Sequence, residues 1–326
     1  MHWLLFLFLS AVIVGAGRFL ARDGDILAEK TGMGRTWMGT VLVAATTSLP
    51  ELFTGIGAAG AFGLPDIAVG DILGSCMFNL LILSMMDIVA RGTPLSARAS
   101  RGHALSIGFG SLLVGLTGVG LVTGAAMPTL GWLGWSTPLM IVAYLIAAQC
   151  MFYYERRQAV GVVVELHHAN VPLRKVVLRY TAAAAVVVTA AIFLPEVGAA
   201  IAAETGLGQS FVATALIAVA TSLPEVAVSL AAVRMGAIDL AIGNVLGSNL
   251  FNILILGLDD ILYTKGPILA AVSPKHTIAA FAVLAMNGIL LAGLTYQAAT
   301  KRLVLAWDTL AIAVVYVMTL WVYLAL

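Results

Sequence analysis

The chain has 326 residues, of which 61% are hydrophobic and 10% charged, with a formal net charge of +1; its mean hydropathy is +1.03. These values exclude an ordinary soluble domain, and with Lys and Arg scattered through short connecting stretches they leave no basic patch for nucleic acid. They fit an integral, multi-pass membrane protein whose partner is the lipid bilayer.

Apolar stretches of the roughly 20 residues that a helix needs to cross about 30 Å of hydrocarbon recur from one end to the other. The opening "MHWLLFLFLSAVIVGAG" has neither a basic leader nor a small-residue cleavage site, so it reads as a first span and not as a signal peptide. Spans are expected near 2–28, 35–60, 66–89, 103–123, 135–154, 174–202, 209–233, 238–262, 276–296 and 303–325. Five therefore lie on each side of a polar stretch, "ERRQAVGVVVELHHANVPLRK", which divides the chain into a first five-helix unit 1–154, a linker 155–173 and a second unit 174–326. Cys76 and Cys150 fall inside apolar spans and read as small buried residues, with no disulfide. The five histidines show no ligand spacing, so no transition-metal site and no cofactor are inferred. Nothing in the sequence specifies an oligomeric state.

The two units are copies. Ala28 to Glu51, "AEKTGMGRTWMGTVLVAATTSLPE", aligns without gaps to Ala202 to Glu225, "AAETGLGQSFVATALIAVATSLPE", at an offset of 174. After a one-residue slip, "IAVGDILGSCMFNLLILSMMDI" from Ile67 matches "LAIGNVLGSNLFNILILGLDDI" from Leu240. An odd number of spans per copy inserts the second copy upside down relative to the first, an arrangement typical of transporters. The fold class is thus an all-α polytopic membrane protein of ten helices in two inverted five-helix repeats. The basic residues agree with this count. With both termini outside, the inner side collects Lys30, Arg35, Arg91, Arg98, Arg101, Arg156, Arg157, Arg174, Lys175, Arg179, Arg234, Lys301 and Arg302, while the outer side holds Lys265 and Lys275.

In each copy the second span carries T-S-L-P-E: Thr47, Ser48, Leu49, Pro50 and Glu51, then Thr221, Ser222, Leu223, Pro224 and Glu225. Proline withholds an N–H from the carbonyl four residues back, and a bare carbonyl in hydrocarbon costs several kcal/mol unless something satisfies it. Helical spacing sets Thr47 and Ser48 on the face of Glu51, and Thr221 and Ser222 on that of Glu225. Each motif is half of an all-oxygen cage, the kind of shell that hard cations such as Ca²⁺ and Na⁺ prefer. The third spans add Gly74, Ser75, Phe78 and Asn79, and Gly247, Ser248, Phe251 and Asn252. Ser and Asn four apart share a face and offer neutral oxygens, and the glycines suit local unwinding or close helix approach. Asp71 extends that face by one turn, where the second copy has Asn244. Asp23, Asp25 and Glu29 are expected to pair with Arg18 and Arg22. Asp87, Asp259 and Asp260 are expected at the membrane interface, and Asp66 and Asp239 at helix N-termini.

The doubled T-S-L-P-E and G-S-x-x-F-N motifs, spread over essentially the whole chain, resemble the alpha repeats of the sodium/calcium exchangers in the calcium/cation antiporter superfamily. The resemblance implies that Glu51 and Glu225 are the central acidic ligands, with Thr47 and Thr221 completing a calcium shell. It implies that Ser48, Ser222, Ser75, Ser248, Asn79 and Asn252 line sodium sites, with the carbonyls of Ala44 and Ala218 at their ends. It further implies that the spans near 2–28 and 174–202 slide as a unit, so that Ca²⁺ moves against Na⁺ by alternating access; the compact build of the chain points to a plasma (inner) membrane. Two departures bear on ion coupling. Some relatives carry Asp where this chain has Asn252, which leaves two central carboxylates, and Asp71 and Cys76 stand where the second copy has Asn244 and Asn249. Exchange of Ca²⁺ or another divalent cation for H⁺ is the alternative, since glutamates can be protonated as well as metallated. A cation channel is a third reading, and no nucleophile or metal constellation points to an enzyme.

Overall fold

The computed structural model describes residues 1–30, 44–90, 92–158, 172–301 and 304–326. Helix α1 spans His2–Lys30. The second expected span is described from Ala44 onward: a turn α2 (Ala44–Thr47), a break at Ser48, α3 (Leu49–Gly55), and a widened π-helical stretch Ile56–Phe62 that stops at Gly63. Helix α4 is Pro65–Val89, the short α5 Leu95–Arg98 and α6 His103–Thr123. A small antiparallel hairpin, β1 (Thr129–Leu130) with β2 (Leu133–Gly134), leads into α7, Ser136–Gln158.

The order then repeats. Helix α8 is Leu173–Thr205; α9 (Gln209–Val212), a π-helical stretch Ala213–Ile217, α10 (Ala218–Thr221) and α11 (Leu223–Arg234) form the broken span. Helices α12 (Ile238–Leu262), α13 (His276–Tyr296) and α14 (Trp307–Ala325) complete the chain. Among the described residues, eight helices are long and apolar enough to cross a membrane, and the pair bent by 46° at Ser222 makes a ninth. The remaining expected span, 35–60, lies partly outside the described residues, as do 159–171 of the expected linker.

Position in the bundle follows composition. In α4 and α12, 78% and 83% of the most apolar stretch is buried, so these two helices are the centre, with their polar residues turned onto each other. Helices α1, α7 and α14 are only about one-third buried and present Leu4, Phe8, Leu145 and Trp321 outward, a face that lipid satisfies at no cost. Helices α1 and α8 run antiparallel against each other, tied at one end by His2 to Glu204 (2.6 Å) and at the other by Asp23 to Arg179 (2.5 Å). The partner of Asp23 is thus a residue of the other half, not Arg18 or Arg22 as expected. With 29 and 33 residues, these helices exceed the roughly 20 needed to span and must tilt.

The halves interlock through exchanged aspartates, because a buried carboxylate needs donors that its own helix cannot supply. Asp87 on α4 accepts the Leu95 amide (2.8 Å), and from the second half the Ala306 amide (2.7 Å), the Thr309 hydroxyl (3.0 Å) and the Lys301 ammonium (2.9 Å). Asp260 on α12 accepts the Ile268 amide (2.6 Å), and from the first half the Gly134 amide (2.9 Å) and the Thr137 hydroxyl (2.5 Å). Asp66 likewise accepts from Ser273 and His276, and Asp239 from Ser100 and His103. Each pair is related by the repeat, and every contact except those from Leu95 and Ile268 crosses between halves. Asp87 and Asp260, expected at the membrane interface, are buried in the protein near their helix ends and act as locks between the halves. Asp87→Ala leaves the Lys301 ammonium with only the backbone carbonyls of residues 87 and 90 and no counter-charge among the described residues, and is expected to lower stability by about 3 kcal/mol. Asp260→Ala, which frees only neutral donors, is expected to cost about 1–3 kcal/mol; thermal unfolding of the two variants in detergent measures the difference.

Candidate ion-binding site

Both T-S-L-P-E motifs break their helix at the serine. Ser48 has φ −86° and ψ 12°, and Ser222 has φ −86° and ψ 7°. The following helix restarts with proline in its first turn, where a missing N–H costs nothing. Glu51 and Glu225 fall in that first turn, at the positive end of the restarted helix dipole.

The inverted arrangement then brings the two breaks face to face. The Ser222 hydroxyl donates to Glu51 Oε1 at 2.8 Å, and the Ser48 hydroxyl donates to Glu225 Oε1 at 3.1 Å, so each motif clasps the carboxylate of the other. Ser248 on α12 adds a second donor to Glu225 Oε1 at 3.3 Å. All five of these side chains are fully buried. The threonines turn to the central helices: Thr47 donates to Asn244 Oδ1 (3.4 Å), and Thr221 donates to Asp71 Oδ1 (3.0 Å). Ser75 meets Thr221 (3.4 Å) and donates to the Ala218 carbonyl (3.4 Å). The Ala44 carbonyl accepts from the Thr47 hydroxyl at 3.1 Å.

Where α4 and α12 cross, amide groups point their NH₂ ends away from the site. Asn79 donates to Asn249 Oδ1 (3.0 Å), Asn249 donates to the Cys76 carbonyl (3.1 Å), and Asn252 reaches the Cys76 sulfur (4.0 Å). Gly74 makes the approach to the broken span feasible, since a Cβ there would sit 2.6 Å from the Thr214 carbonyl oxygen. Of the two roles open to the glycines, close approach is the one Gly74 fills: α4 is unbroken from Pro65 to Val89.

What remains is a set of oxygens with no donor among the described residues: Glu51 Oε2, Glu225 Oε2, Asp71 Oδ2, Asn79 Oδ1 and Asn252 Oδ1. Every sequence-predicted site residue lies in this buried region, and each of the five contributes an acceptor, not a donor. Asp71 is the departure from the two-carboxylate count. It stands beside Thr221, within electrostatic reach of Glu51, so three carboxylates share the region. Asn244 and Asn249 were missed as members of the network; their repeat equivalents Asp71 and Cys76 were the available signal.

The model of the family described as sodium/calcium exchanger protein matches residues 1–154 and 175–325. The chain belongs to the sodium/calcium exchanger protein family. Membership makes it a membrane transporter and not an enzyme in the catalytic sense. Inner membrane protein YrbG of Escherichia coli K12 is 28% identical over 281 residues, 81% of this chain and 80% of its own length. Sodium/calcium exchanger MaX1 of Methanosarcina acetivorans is 42% identical over 81 residues, 24% of this chain and 23% of its own. Two solved structures share the exchanger fold. The H⁺/Ca²⁺ exchanger CAX has a TM-score of 0.74 at 14% identity, covering 99% of this chain and 86% of that one. The sodium-calcium exchanger NCX_Mj has a TM-score of 0.64 at 20% identity, covering 97% and 95%.

The crossed serine–glutamate contacts are open to a double-mutant cycle on thermal stability in detergent. Ser222→Ala with Glu51→Gln is expected to deviate from additivity by about 0.5–3 kcal/mol.

Proposed function

We propose that this protein is a secondary active antiporter that moves Ca²⁺ against Na⁺ by alternating access at the shared Glu51–Glu225 site. The observation that carries this reading is the set of donor-free, buried acceptor oxygens contributed by both repeats. A ring of acceptors in a medium of low dielectric is costly when empty and favourable around a cation. Two glutamates match the charge of one Ca²⁺ or of two Na⁺. Thr47, Thr221 and the carbonyls of Ala44 and Ala218 stand within the same networks and would fill out the shell. Ser48, Ser222, Ser75, Ser248, Asn79 and Asn252 would line the flanking sodium positions.

Ions that compete for the same ligands are exchanged if the loaded site opens to one side at a time. The moving part in this reading is the α1–α8 pair, which lies across both broken spans: Gly17 packs on Pro224, Gly24 on Thr46, and Gly198 on Ile217. The Asp23–Arg179 and His2–Glu204 ties support movement as one piece. The distribution of Lys and Arg supports both termini outside, and the named inner-membrane relative supports the same membrane for this chain. The organisation into repeats 1–154 and 174–326 joined by a cytoplasmic linker 155–173 belongs to the same proposal.

Asp71 favours a second reading, exchange of Ca²⁺ for H⁺, because a third carboxylate offers a position that a proton can fill when metal leaves. One assay separates the two. Purified protein in liposomes loaded with Na⁺ is expected to take up ⁴⁵Ca²⁺ when diluted into Na⁺-free medium, and a pH gradient alone is expected to drive little. The reverse pattern would replace Na⁺ by H⁺ as the coupling ion.

A unit charge close to a divalent ion is worth several kcal/mol even at an effective dielectric of about 20. Glu51→Gln and Glu225→Gln are therefore each expected to reduce uptake more than about 100-fold, about 2.7 kcal/mol. Unchanged flux in either variant would remove that residue from the site.

A further inference from the structure

Two fully buried carboxylates are used neither by the site nor by the locks that join the halves: Asp308 at the start of α14, and Asp259 on a helix that lines the site. Asp259 on α12 is fully buried, and neither of its oxygens has a hydrogen-bond partner among the described residues. Its neighbour Asp260 holds three donors. Asp259 follows Asn252 by seven residues and Ser248 by eleven, about two and three helical turns, so it continues the face of α12 that lines the site. Across from it is Gly55, one turn beyond Glu51 on α3; a methyl group at Gly55 would overlap both carboxylate oxygens.

The repeat shows that this carboxylate is not part of the common frame. Its first-half equivalent is Met86, and the equivalent of Gly55 is Ser229, which is occupied by Asn244 and the Ala241 carbonyl. Only one end of the pathway therefore carries the extra acid. That end is covered by α8: Thr54 donates to the Ala191 carbonyl (3.4 Å), which Pro195 leaves without its helical amide, and Gly57 lies directly against the Ile192 carbonyl.

The geometry points to Asp259 as a proton-binding site on the ion pathway, loaded in the Ca²⁺-free protein and emptied as Ca²⁺ occupies the Glu51–Glu225 site. This rests on the proposed antiport. A carboxyl with no hydrogen-bond partner among the described residues suits a proton, which needs no coordination shell, better than a metal ion, which needs about six ligands. The charged groups that act on it are Asp71 on α4 and the adjoining Asp260, both acidic, and Glu51 lies one turn before Gly55 on α3; Lys265 lies beyond the end of α12, against Gly63. Their combined negative charge holds the proton on Asp259 while the site is empty. A Ca²⁺ ion two turns away reverses the local field. The O–H bond then breaks, the electron pair stays on the carboxylate, and the proton passes to water on the side that movement of α8 uncovers.

The test uses the full chain in detergent under weak buffering. CaCl₂ is added while a pH dye reads released protons and ⁴⁵Ca²⁺ reads binding. The isosteric Asp259→Asn, fixed in the neutral form, is expected to bind Ca²⁺ about 10-fold or more weakly than wild type and, at saturating Ca²⁺, to release about one proton fewer per bound ion. Infrared difference spectra provide a second readout: Ca²⁺ should bleach a protonated-carboxyl C=O band in the wild type that is absent in the variant. Equal proton release at equal Ca²⁺ binding would overturn the assignment of Asp259. A wild type that binds no Ca²⁺ would overturn the antiport reading and this inference with it, so the two failures are told apart by the binding signal.

Discussion

An acceptor oxygen buried away from water has to find a donor or a cation, and this constraint organises the whole protein. Carboxylates and side-chain carbonyls supply acceptors only, so the chain has to draw donors from elsewhere. At the ends of the bundle it does: Asp87, Asp260, Asp66 and Asp239 are each met by amides, hydroxyls, an ammonium or an imidazole from the opposite half. At the centre the donors stop short. One oxygen of each glutamate takes a serine hydroxyl, and the other has no donor among the described residues.

The same carboxylate chemistry thus separates into structure and transport. Asp87 and Asp260 are the locks whose oxygens are both used, and removing either breaks a buried contact between halves. A binding group is one whose second oxygen is spare. Inversion of the repeats produces both, since antiparallel copies set each helix end beside a loop of the other copy and each broken span beside its twin. Departures from the two-fold stand out against this background: Asp71 opposite Asn244, Cys76 opposite Asn249, and Asp259 opposite Met86. These places hold charge or polarity on one side only, as a protein must if it is to treat its two aqueous faces differently.

Packing determines what can move. Helices α4 and α12 are enclosed by other helices, and Gly74 lets one of them press against the broken span with no room for adjustment. Helices α1 and α8 are paired to each other through ion contacts, and they meet the rest of the bundle through small residues such as Gly17 and Gly24 and through large ones such as Ile13, Leu194 and Ile201.

The sequence by itself determined the membrane class, the duplication, the inversion and the residues of the central oxygen set, because each is written in local pattern: span length, the 174-residue offset, and charge and proline repeated at equivalent positions. It read Asp23 as a partner of Arg18 or Arg22 and Asp87 and Asp260 as interfacial, since a carboxylate near a helix end looks the same whether water or a distant amide meets it. Only the tertiary structure decided that Arg179 pairs with Asp23, that Ser48 serves Glu225 while Ser222 serves Glu51, and that Asp71 makes a third carboxylate. The physical reason is that hydrogen bonds between residues some 170 apart depend on how two inverted copies dock, and docking is set by side-chain volume at crossings such as Gly74, which no spacing along one chain encodes.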